Sequence, residues 1–313
     1  MHLVELDVTF NLLSFLPDFL TKLSELRKLH IHHNQLAFIS SWFSKFDFTD
    51  GLDLSYNMLG ALPETFGRLS QVKALLLHHN QLVTLPSWLS GVNFGEELDL
   101  SNNMFTTLPE VLREIPNLKR VLVHHNRLTT LPTWFAKFDF SGGLDVSYNE
   151  LASLPDFLDS ISKLKRIQLH HNKLAIIPRW ISRLDFEEAL DLSTNQLTTL
   201  PTWLPELNFG GSLSISSNPL NLEAAGVVAT TIKKNKNLKS LEYCPSSHRL
   251  LFASHPPFSP SPFISISNIV LGQEGALLIV QALVWNFSQG SISLKALKLV
   301  APLLFFSVFS DLT

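Results

Sequence analysis

The fold of this chain is decided by one stretch, Val72-Lys73-Ala74-Leu75-Leu76-Leu77-His78-His79-Asn80-Gln81-Leu82. The stretch is one copy of a pattern that returns every 23 residues without an insertion. Its asparagine marks the frame, with copies at positions 11, 34, 57, 80, 103, 126, 149, 172, 195 and 218. A period of this length over ten units predicts a solenoid of stacked copies of one short unit.

The alternation of side chains predicts the geometry of each unit. A short strand sends Leu75 and Leu77 into the solenoid and leaves Leu76 and His78 facing outward on the concave side. Asn80 stands where the chain leaves the strand, so its amide is predicted to hydrogen-bond backbone groups of the buried turn. The opposite, convex side is predicted to form short helical turns in the segments 17–26, 109–118 and 155–164.

The segment 72–82 matches the signature L-x-x-L-x-L-x-x-N-x-L, and the chain resembles the leucine-rich repeat family over about residues 3 to 218. The resemblance implies an α/β solenoid, or horseshoe, with short helices or turns on its convex side. Its concave parallel sheet would hold about ten to twelve short strands. Leu-Pro closes most units, and this 23-residue form is similar to intracellular leucine-rich repeat proteins that act as interaction scaffolds, including the Ras-binding group.

Two kinds of repeat alternate, so the true period is a pair of units. One kind carries the His-His-Asn triplet, and the other carries Trp and Phe at positions 46 residues apart. These aromatic residues are Trp42, Trp88, Trp134, Trp180, Phe48, Phe94, Phe140 and Phe186. We expect them to lie in the convex side of the core. We also expect the convex segment of the Trp kind to follow a different path, because Phe140 precedes the first strand leucine by four residues instead of three.

The frame breaks after Asn218. Residues 220–235 align with residues 271–286 and resemble the longer ribonuclease-inhibitor-type repeat, which implies a true helix on the convex side. The predicted organisation is ten short repeats in alternating pairs over 1–218, a first long repeat over 219–243 and a second long repeat over 264–299. A Pro/Ser-rich irregular insert over 244–263 separates the long repeats, and an apolar, poorly ordered tail spans 300–313.

Composition excludes several classes of function. A net charge of −3 gives no electrostatic footprint for nucleic acid. No run reaches the ~20 apolar residues of a membrane span, and no signal peptide is visible. The single cysteine, Cys244, allows no internal disulfide, so a cytoplasmic location is expected. No phosphate-binding loop, kinase signature or metal motif is present, so we expect no enzyme activity and no cofactor.

Two rows of outward side chains form the organised polar surface of the chain. The residues two before each asparagine alternate between His and Thr or Ser until the last two repeats, and five aspartates recur four before it. We predict that a partner contacts this concave face. The predicted partner-binding residues are His32, Asp53, Ser55, His78, Asp99, Arg120, His124, Asp145, His170 and Asp191.

These rows allow three chemical interpretations besides that of a solvated surface with no chemical role. Asp53, Ser55 and His78 have the residue types of a hydrolase triad, but the set recurs, whereas catalysis needs one site with an oxyanion donor and a pocket. A metal could be chelated by His30 with His32 alone, because His residues on alternate strands stand about 10 Å apart. Protonation of the histidines near pH 6.5 would make partner binding sensitive to pH.

We therefore expect a non-catalytic scaffold that binds a protein, such as a small GTPase or another signalling protein. The alternative is a recognition segment of a larger signalling enzyme or receptor, whose catalytic domain lies outside these residues. The repeat pattern starts at once with Leu3, Leu6 and Val8 in core positions, which keeps this alternative open. The same open end makes end-to-end self-association a further hypothesis.

Overall fold

A computed structural model describes most of the repeat region and two strands beyond it. The described residues are 3–23, 25–26, 28–45, 51–64, 75–92, 97–115, 117–184, 186, 189–207, 212–235, 238, 240–243, 263–267 and 296–300. Apart from the strands Phe263–Ser267 and Ala296–Val300, the predicted insert, second long repeat and tail lie outside the described residues. Phe48 and Phe94 lie outside them as well.

The chain divides into two compact units. The first consists of Met1–Glu150 and Pro155–Lys163, and the second of Leu151–Leu154 and Leu164–Thr313. Described strands of the first unit are β1 (Glu5–Asp7), β2 (Lys28–His30), β3 (Leu52–Asp53), β4 (Leu75–Leu76), β5 (Glu97–Asp99), β6 (Arg120–Leu122) and β7 (Leu144–Asp145). Those of the second are β8 (Ile167–Gln168), β9 (Ala189–Asp191), β10 (Ser212–Ser214), β11 (Ser240–Tyr243), β12 (Phe263–Ser267) and β13 (Ala296–Val300). The domain boundaries expected from the sequence stay a prediction.

Strand pairing follows the repeat order inside each unit. In the first unit β1 pairs with β2, and β3 to β6 form a continuous parallel sheet. In the second unit β9 to β13 pair in sequence order, also in parallel. Side chains alternate as predicted: Leu75 and Leu77 are buried, while Leu76 between them is exposed. The core of each unit is therefore built from the inward leucines of successive repeats.

The convex segments form one turn of 3-10 helix, as the sequence predicts for three of them. The described 3-10 helices are Asp18–Lys22, Ser41–Lys45, Ser87–Gly91, Glu110–Arg113, Thr133–Lys137, Asp156–Ser160, Arg179–Arg183 and Leu204–Glu206. The two kinds of repeat differ in the backbone conformation of the residue that follows this turn. Val92, Phe138 and Leu184 follow the turn in extended conformation, with ψ of 131° to 161° in the Trp kind. In the other kind, ψ after the turn is 84° at Leu23, −11° at Glu114 and 93° at Ile161, so the predicted difference in path is present.

The prediction that the tryptophans lie in the core is wrong. Trp42 and Trp134 are half-buried, whereas the following residues, Phe43 and Phe135, are fully buried. In these two tryptophans the indole N–H has a carboxylate acceptor in the preceding repeat, which an apolar core does not supply. Nε1 of Trp134 donates to Oε1 of Glu110 at 2.9 Å, and Nε1 of Trp42 donates in the same way to Asp18 at 2.8 Å. The phenylalanine prediction is confirmed where it is described, since Phe140 and Phe186 are buried.

A true α-helix, α1 (Leu222–Lys234), lies in the segment where the sequence predicts one. It begins after Asn221, whose side chain accepts a hydrogen bond from the N–H of Ala224 at 3.1 Å. Glu223 in its first turn and Lys233 and Lys234 in its last turn match the helix dipole. Among the described residues, no helix is long and apolar enough to cross a membrane.

Candidate functional site: the strand face

The outward side chains of the strands stand on a frame of buried asparagines, which we call the asparagine column. Nδ2 of Asn80 donates to the carbonyls of Leu77 at 3.1 Å and of Leu54 in the preceding repeat at 2.9 Å. Its Oδ1 accepts the N–H of Leu59, also in the preceding repeat, at 3.0 Å. The same role recurs along each unit at Asn34, Asn57, Asn80, Asn103, Asn126, Asn149, Asn172, Asn195 and Asn218, all buried. The predicted role of the asparagine is confirmed.

The residue directly before each asparagine adopts a left-handed backbone conformation. We call these positions the turn column: Phe10, His33, Tyr56, His79, Asn102, His125, Tyr148, His171, Thr194 and Ser217, with φ between 52° and 55°. Few residues other than glycine accept this conformation, which costs on the order of 1 to 3 kcal/mol unless the surroundings fix it. The surroundings fix it here, because consecutive N–H groups donate to the next repeat, as His79 does to Ser101 at 3.1 Å.

Aromatic rings of the turn column stack on one another in the first unit. His33 stacks between Phe10 and Tyr56, with ring centroids 4.2 and 4.0 Å apart. Tyr56 stacks on His79 at 4.1 Å, so four consecutive repeats share one run of rings. His125 and Tyr148 form a second stacked pair at 3.9 Å. The column is also accessible: Phe10 is 73% exposed and Tyr56 is 39% exposed.

Sequence reasoning missed the turn column. The two predicted rows lie two and four residues before each asparagine. The turn column lies directly before the asparagine, where no functional residue is predicted from the sequence. A signal for it was present, because this position holds an aromatic or His residue in seven of ten repeats. His and Asn are also among the residues that tolerate a left-handed turn. Stacking across repeats could not be foreseen, because it depends on where the left-handed turn aims the rings.

The predicted rows lie where the strand alternation places them. Strand register sets Asp53 beside Leu76, Leu76 beside Asp99, and Asp99 beside Leu122. We call the sequence Asp53, Leu76, Asp99, Leu122 and Asp145 the outer row, and we call the outward side chains of the strands together the strand face. The serines two residues after the aspartates orient each carboxylate, since the N–H of Ser101 donates to Oδ1 of Asp99 at 2.9 Å. Asp53, Asp145 and Asp191 repeat this contact.

Asp99, Asp145 and Asp191 each face a histidine from the preceding repeat. Nδ1 of His78 lies 3.6 Å from Oδ2 of Asp99, and Nδ1 of His124 lies 3.9 Å from Oδ2 of Asp145. In the second unit, His170 and Asp191 stand 3.8 Å apart in the same way. Arg120 pairs instead with Glu97, which lies opposite it on the neighbouring strand, at 3.0 Å.

Two of the predicted partner-binding residues, Ser55 and His32, are less exposed than the prediction requires. Ser55 is only 2% exposed, so the structure does not bring it to the surface that a partner would touch. Its side chain is short, and the larger residues His32 and His78 occupy the same row on the neighbouring repeats. His32 is half-buried, and its Nδ1 lies 2.8 Å from Nδ1 of His33, so the two rings are joined by a hydrogen bond.

The arrangement of Ser, His and Asp does not form a proton relay. Oγ of Ser147 donates to Oδ1 of Asp145 at 2.6 Å, and His124 faces the other oxygen of the same carboxylate. A nucleophilic serine must instead hydrogen-bond to the imidazole that removes its proton. Ser147 and His124 both lie next to the carboxylate of Asp145 and are not bonded to each other, so the geometry favours a surface role over hydrolysis.

The pair His30 and His32 does not converge on one point. Nε2 of His30 lies 2.9 Å from Oε1 of Glu5, whereas His32 faces His33. Across the part of the chain that the structure describes, no group of three or more His, Cys, Asp or Glu residues is arranged to hold a metal ion.

A cleft of about 380 Å³ lies apart from both rows. It is lined by Leu118, Lys119, Ala136, Lys137, Phe138, Asp139, Ser160, Ile161, Ser162 and Lys163. Nζ of Lys137 donates to the carbonyls of Leu112 and Arg113, and burial together with the Arg113 charge lowers the pKa of this amine. The cleft shares no residue with the predicted partner-binding set.

Two groups near the strand face, His79 and Asp7, have a lowered pKa. Burial lowers the pKa of His79, and the neighbouring His78 lowers it further, while Asp99 acts in the opposite direction. The N–H and hydroxyl of Thr9 stabilise the Asp7 carboxylate and lower its pKa. The stacked imidazole of His79 therefore gains a proton only at a lower pH than an ordinary histidine does.

Comparison with known proteins identifies the fold. The family model for the leucine rich repeat matches residues 96–115, and comparison with curated protein sequences finds no significant match. A leucine-rich repeat protein of Leptospira interrogans has a similar structure, with a TM-score of 0.56, 22% identity, and coverage of 92% of this chain and 69% of the other. A chain of the Drosophila Toll–Spätzle complex matches with a TM-score of 0.51, 22% identity and coverage of 77% and 34%. The chain has the α/β solenoid fold of leucine-rich repeat proteins, and the predicted 23-residue subtype stays a prediction.

Proposed function

We propose that the chain is a non-catalytic module that binds a protein partner through the strand face. One observation carries the proposal: half-exposed charged side chains recur at fixed positions on strands whose turns are held by the asparagine column. Such a surface loses little conformational freedom on binding, which favours affinity. Arginine, present on it as Arg120, and tyrosine, present in the adjoining turn column, are also enriched in the residues that dominate protein interfaces.

The geometry of the Ser, His and Asp side chains supports a non-catalytic role. Neither row lies at the described cleft, and no serine hydroxyl is hydrogen-bonded to an imidazole at Ser147 and His124, where the triad types are best ordered. A flat surface of this kind fits a protein partner, since a standard interface covers about 800 Å² on each side.

The partner we propose is a signalling protein, such as a small GTPase, in the cytoplasm. The single Cys244 is consistent with a reducing compartment. A role as the recognition segment of a larger receptor or enzyme is a second candidate, because this chain spans only 34% of the solved chain from the Toll–Spätzle complex. End-to-end self-association is a separate proposal that light scattering would test by the mass of the particle.

The test uses variants of the strand face against a partner captured from the source cells. We expect the combined substitutions His78→Ala, His124→Ala and Asp145→Asn to weaken binding at least tenfold, because they remove three half-exposed groups from one face. The melting temperature should stay unchanged, since all three side chains point away from the core. Glu114→Gln, on an exposed convex segment, is the matched control. A captured partner whose affinity is unaltered by the triple variant would move the interface away from the strand face.

A further inference from the structure

The strand face of the first unit carries an excess of negative charge. Its outward strand positions hold six carboxylates and two Lys or Arg cations, namely Glu5, Asp7, Asp53, Glu97, Asp99, Asp145, Lys28 and Arg120. Arg120 pairs with Glu97 at 3.0 Å, and Lys28 lies opposite Glu5 in the strand register. Four aspartates therefore remain without a Lys or Arg partner among these strand positions. Complementary potential on a partner requires positive charge.

Three of these aspartates are oriented and still have room to accept hydrogen bonds. Oδ1 of Asp53, Asp99 and Asp145 each accepts the N–H two residues on at 2.9 Å. Asp145 accepts the hydroxyl of Ser147 as well, at 2.6 Å. A carboxylate has about four acceptor positions, so at least two remain for a ligand on each of the three. The imidazoles of His78 and His124 stand beyond hydrogen-bond distance, and their buried Nδ1 atoms make no hydrogen bond within the described residues. Fixed, half-satisfied carboxylates suit guanidinium or ammonium groups.

The outer row has a defined period. Asp53, Asp99 and Asp145 stand on alternate strands, and neighbouring strands lie ~4.8 Å apart, so successive carboxylates lie ~9.6 Å apart. Leu76 lies between the first two, is 38% exposed, and is held in the row by strand register. Leu122 lies beside Asp99 in the strand register, and Asp145 is the outward residue of the next strand along the chain, β7. The row thus alternates acidic and apolar side chains across the strands.

One peptide conformation matches this period. A polyproline II helix has three residues per turn and rises ~3.1 Å per residue, so every third side chain lies on one side at a spacing of ~9.3 Å. A β-strand places side chains on one side every ~6.7 Å and falls out of step after one interval. An α-helix repeats a face every seven residues, or ~10.5 Å, and is further from the spacing of the row.

We propose that the outer row binds an extended, proline-containing segment of a partner that carries Arg or Lys at every third residue. Successive cations lie on Asp53, Asp99 and Asp145, and the residues between them pack on Leu76 and Leu122. This inference rests on the proposed function and deepens it, because it names the chemistry that the partner presents to the strand face.

The test uses the full chain and a fluorescent peptide of three Arg-Pro-Pro repeats, with anisotropy as the readout. The control peptide has the same composition with its three arginines adjacent. We expect the periodic peptide to bind at least tenfold more tightly than the control peptide at low salt. Asp53→Asn, Asp99→Asn and Asp145→Asn should each weaken it about fivefold, the effect of roughly 1 kcal/mol per ion pair. Asparagine keeps an acceptor for the neighbouring N–H, and Glu114→Gln should leave binding unchanged.

Equal binding of the two peptides, or binding that survives all three aspartate substitutions, would overturn the proposal. A measurement with the captured partner tests the proposed function separately from this ligand proposal. A partner that the strand-face triple variant loses, but that excess periodic peptide does not displace, leaves the interface in place and refutes the polyproline-type ligand. Displacement of the partner by the periodic peptide alone, and not by the control peptide, is the result expected.

Discussion

The asparagine column and the turn column are adjacent in every repeat, yet they differ in what constrains them. Asn80 is buried and serves backbone groups of two repeats, and the same residue type stands in every frame position. The neighbouring His79 is part of a column that also contains Phe, Tyr, Asn, Thr and Ser. One position is set by buried backbone groups of two repeats that hydrogen-bond to its amide. The other is set only by the left-handed turn, which several side chains tolerate when the fold enforces it.

The largest expected effect comes from breaking the asparagine column. Asn80→Leu would leave the N–H of Leu59 and the carbonyls of Leu54 and Leu77 without this partner. The two carbonyls keep the amides of Asn57 and Asn103, so the Leu59 N–H is the group left unsatisfied. An unsatisfied buried group costs about 1 to 3 kcal/mol and each of the two lost hydrogen bonds about 1 kcal/mol, so we expect the free energy of unfolding to fall by about 3 kcal/mol or more. Denaturant unfolding followed by circular dichroism measures it.

The matched control for this substitution lies in the turn column. Asn102→His introduces the residue that stands at the same position in the repeats before and after it, His79 and His125, so we expect a change within about 1 kcal/mol. If Asn80→Leu destabilised the chain no more than Asn102→His does, backbone satisfaction would not be what separates the columns.

A smaller effect is expected from the ring stack. Tyr56→Ser removes stacking on both His33 and His79, and serine stands naturally at this position as Ser217. Aromatic pairs contribute about 0.5 to 1.5 kcal/mol each, so the loss of two pairs should lower the free energy of unfolding by about 1 to 3 kcal/mol. Thr194→Ser changes the same position where no ring is present, and it should change stability by less than about 0.5 kcal/mol. Equal losses in the two variants would mean that the rings contribute nothing to stability.

The two columns also mark how far sequence reasoning reached. The repeat period, the inward leucines and the role of Asn80 were predictable, because each follows from burial or from unmet backbone hydrogen bonds. The outward direction of Asp99 and His78 followed from strand alternation in the same way. Each of these features is a local requirement that a single unit already contains.

Features that depend on neighbouring repeats were not predictable. The stack of His33 and Tyr56 requires the left-handed turn to aim both rings along one line. Ser55 is buried because larger side chains flank it, and Trp134 leaves the core because Glu110 of the preceding repeat accepts its N–H. The sequence pattern placed these residues in the right repeat and on the right side. It did not reveal which of them the neighbouring repeats would cover.

The smallest expected effect concerns the charge state of the turn column. Burial lowers the pKa of His79 below its ordinary value of 6.5, and the charge of His78 lowers it further. The folded chain therefore holds a proton at His79 less tightly than the unfolded chain. The resulting stability is present above pH 6.5 and is lost as the pH falls below 6.5 toward the lowered pKa. Acidification should thus destabilise the chain in part through this one ring.

The substitution His79→Asn isolates that contribution, because Asn102 shows that asparagine accepts the same backbone conformation in the next repeat. The free energy of unfolding, measured by denaturant at pH 7.5 and 5.5, should fall less on acidification in His79→Asn than in the unaltered chain. Thr194→Ser changes no titratable group and should keep the full pH dependence. An identical fall in all three proteins would show that the stacked imidazole titrates as freely as an exposed one, and the two columns would then differ in packing alone.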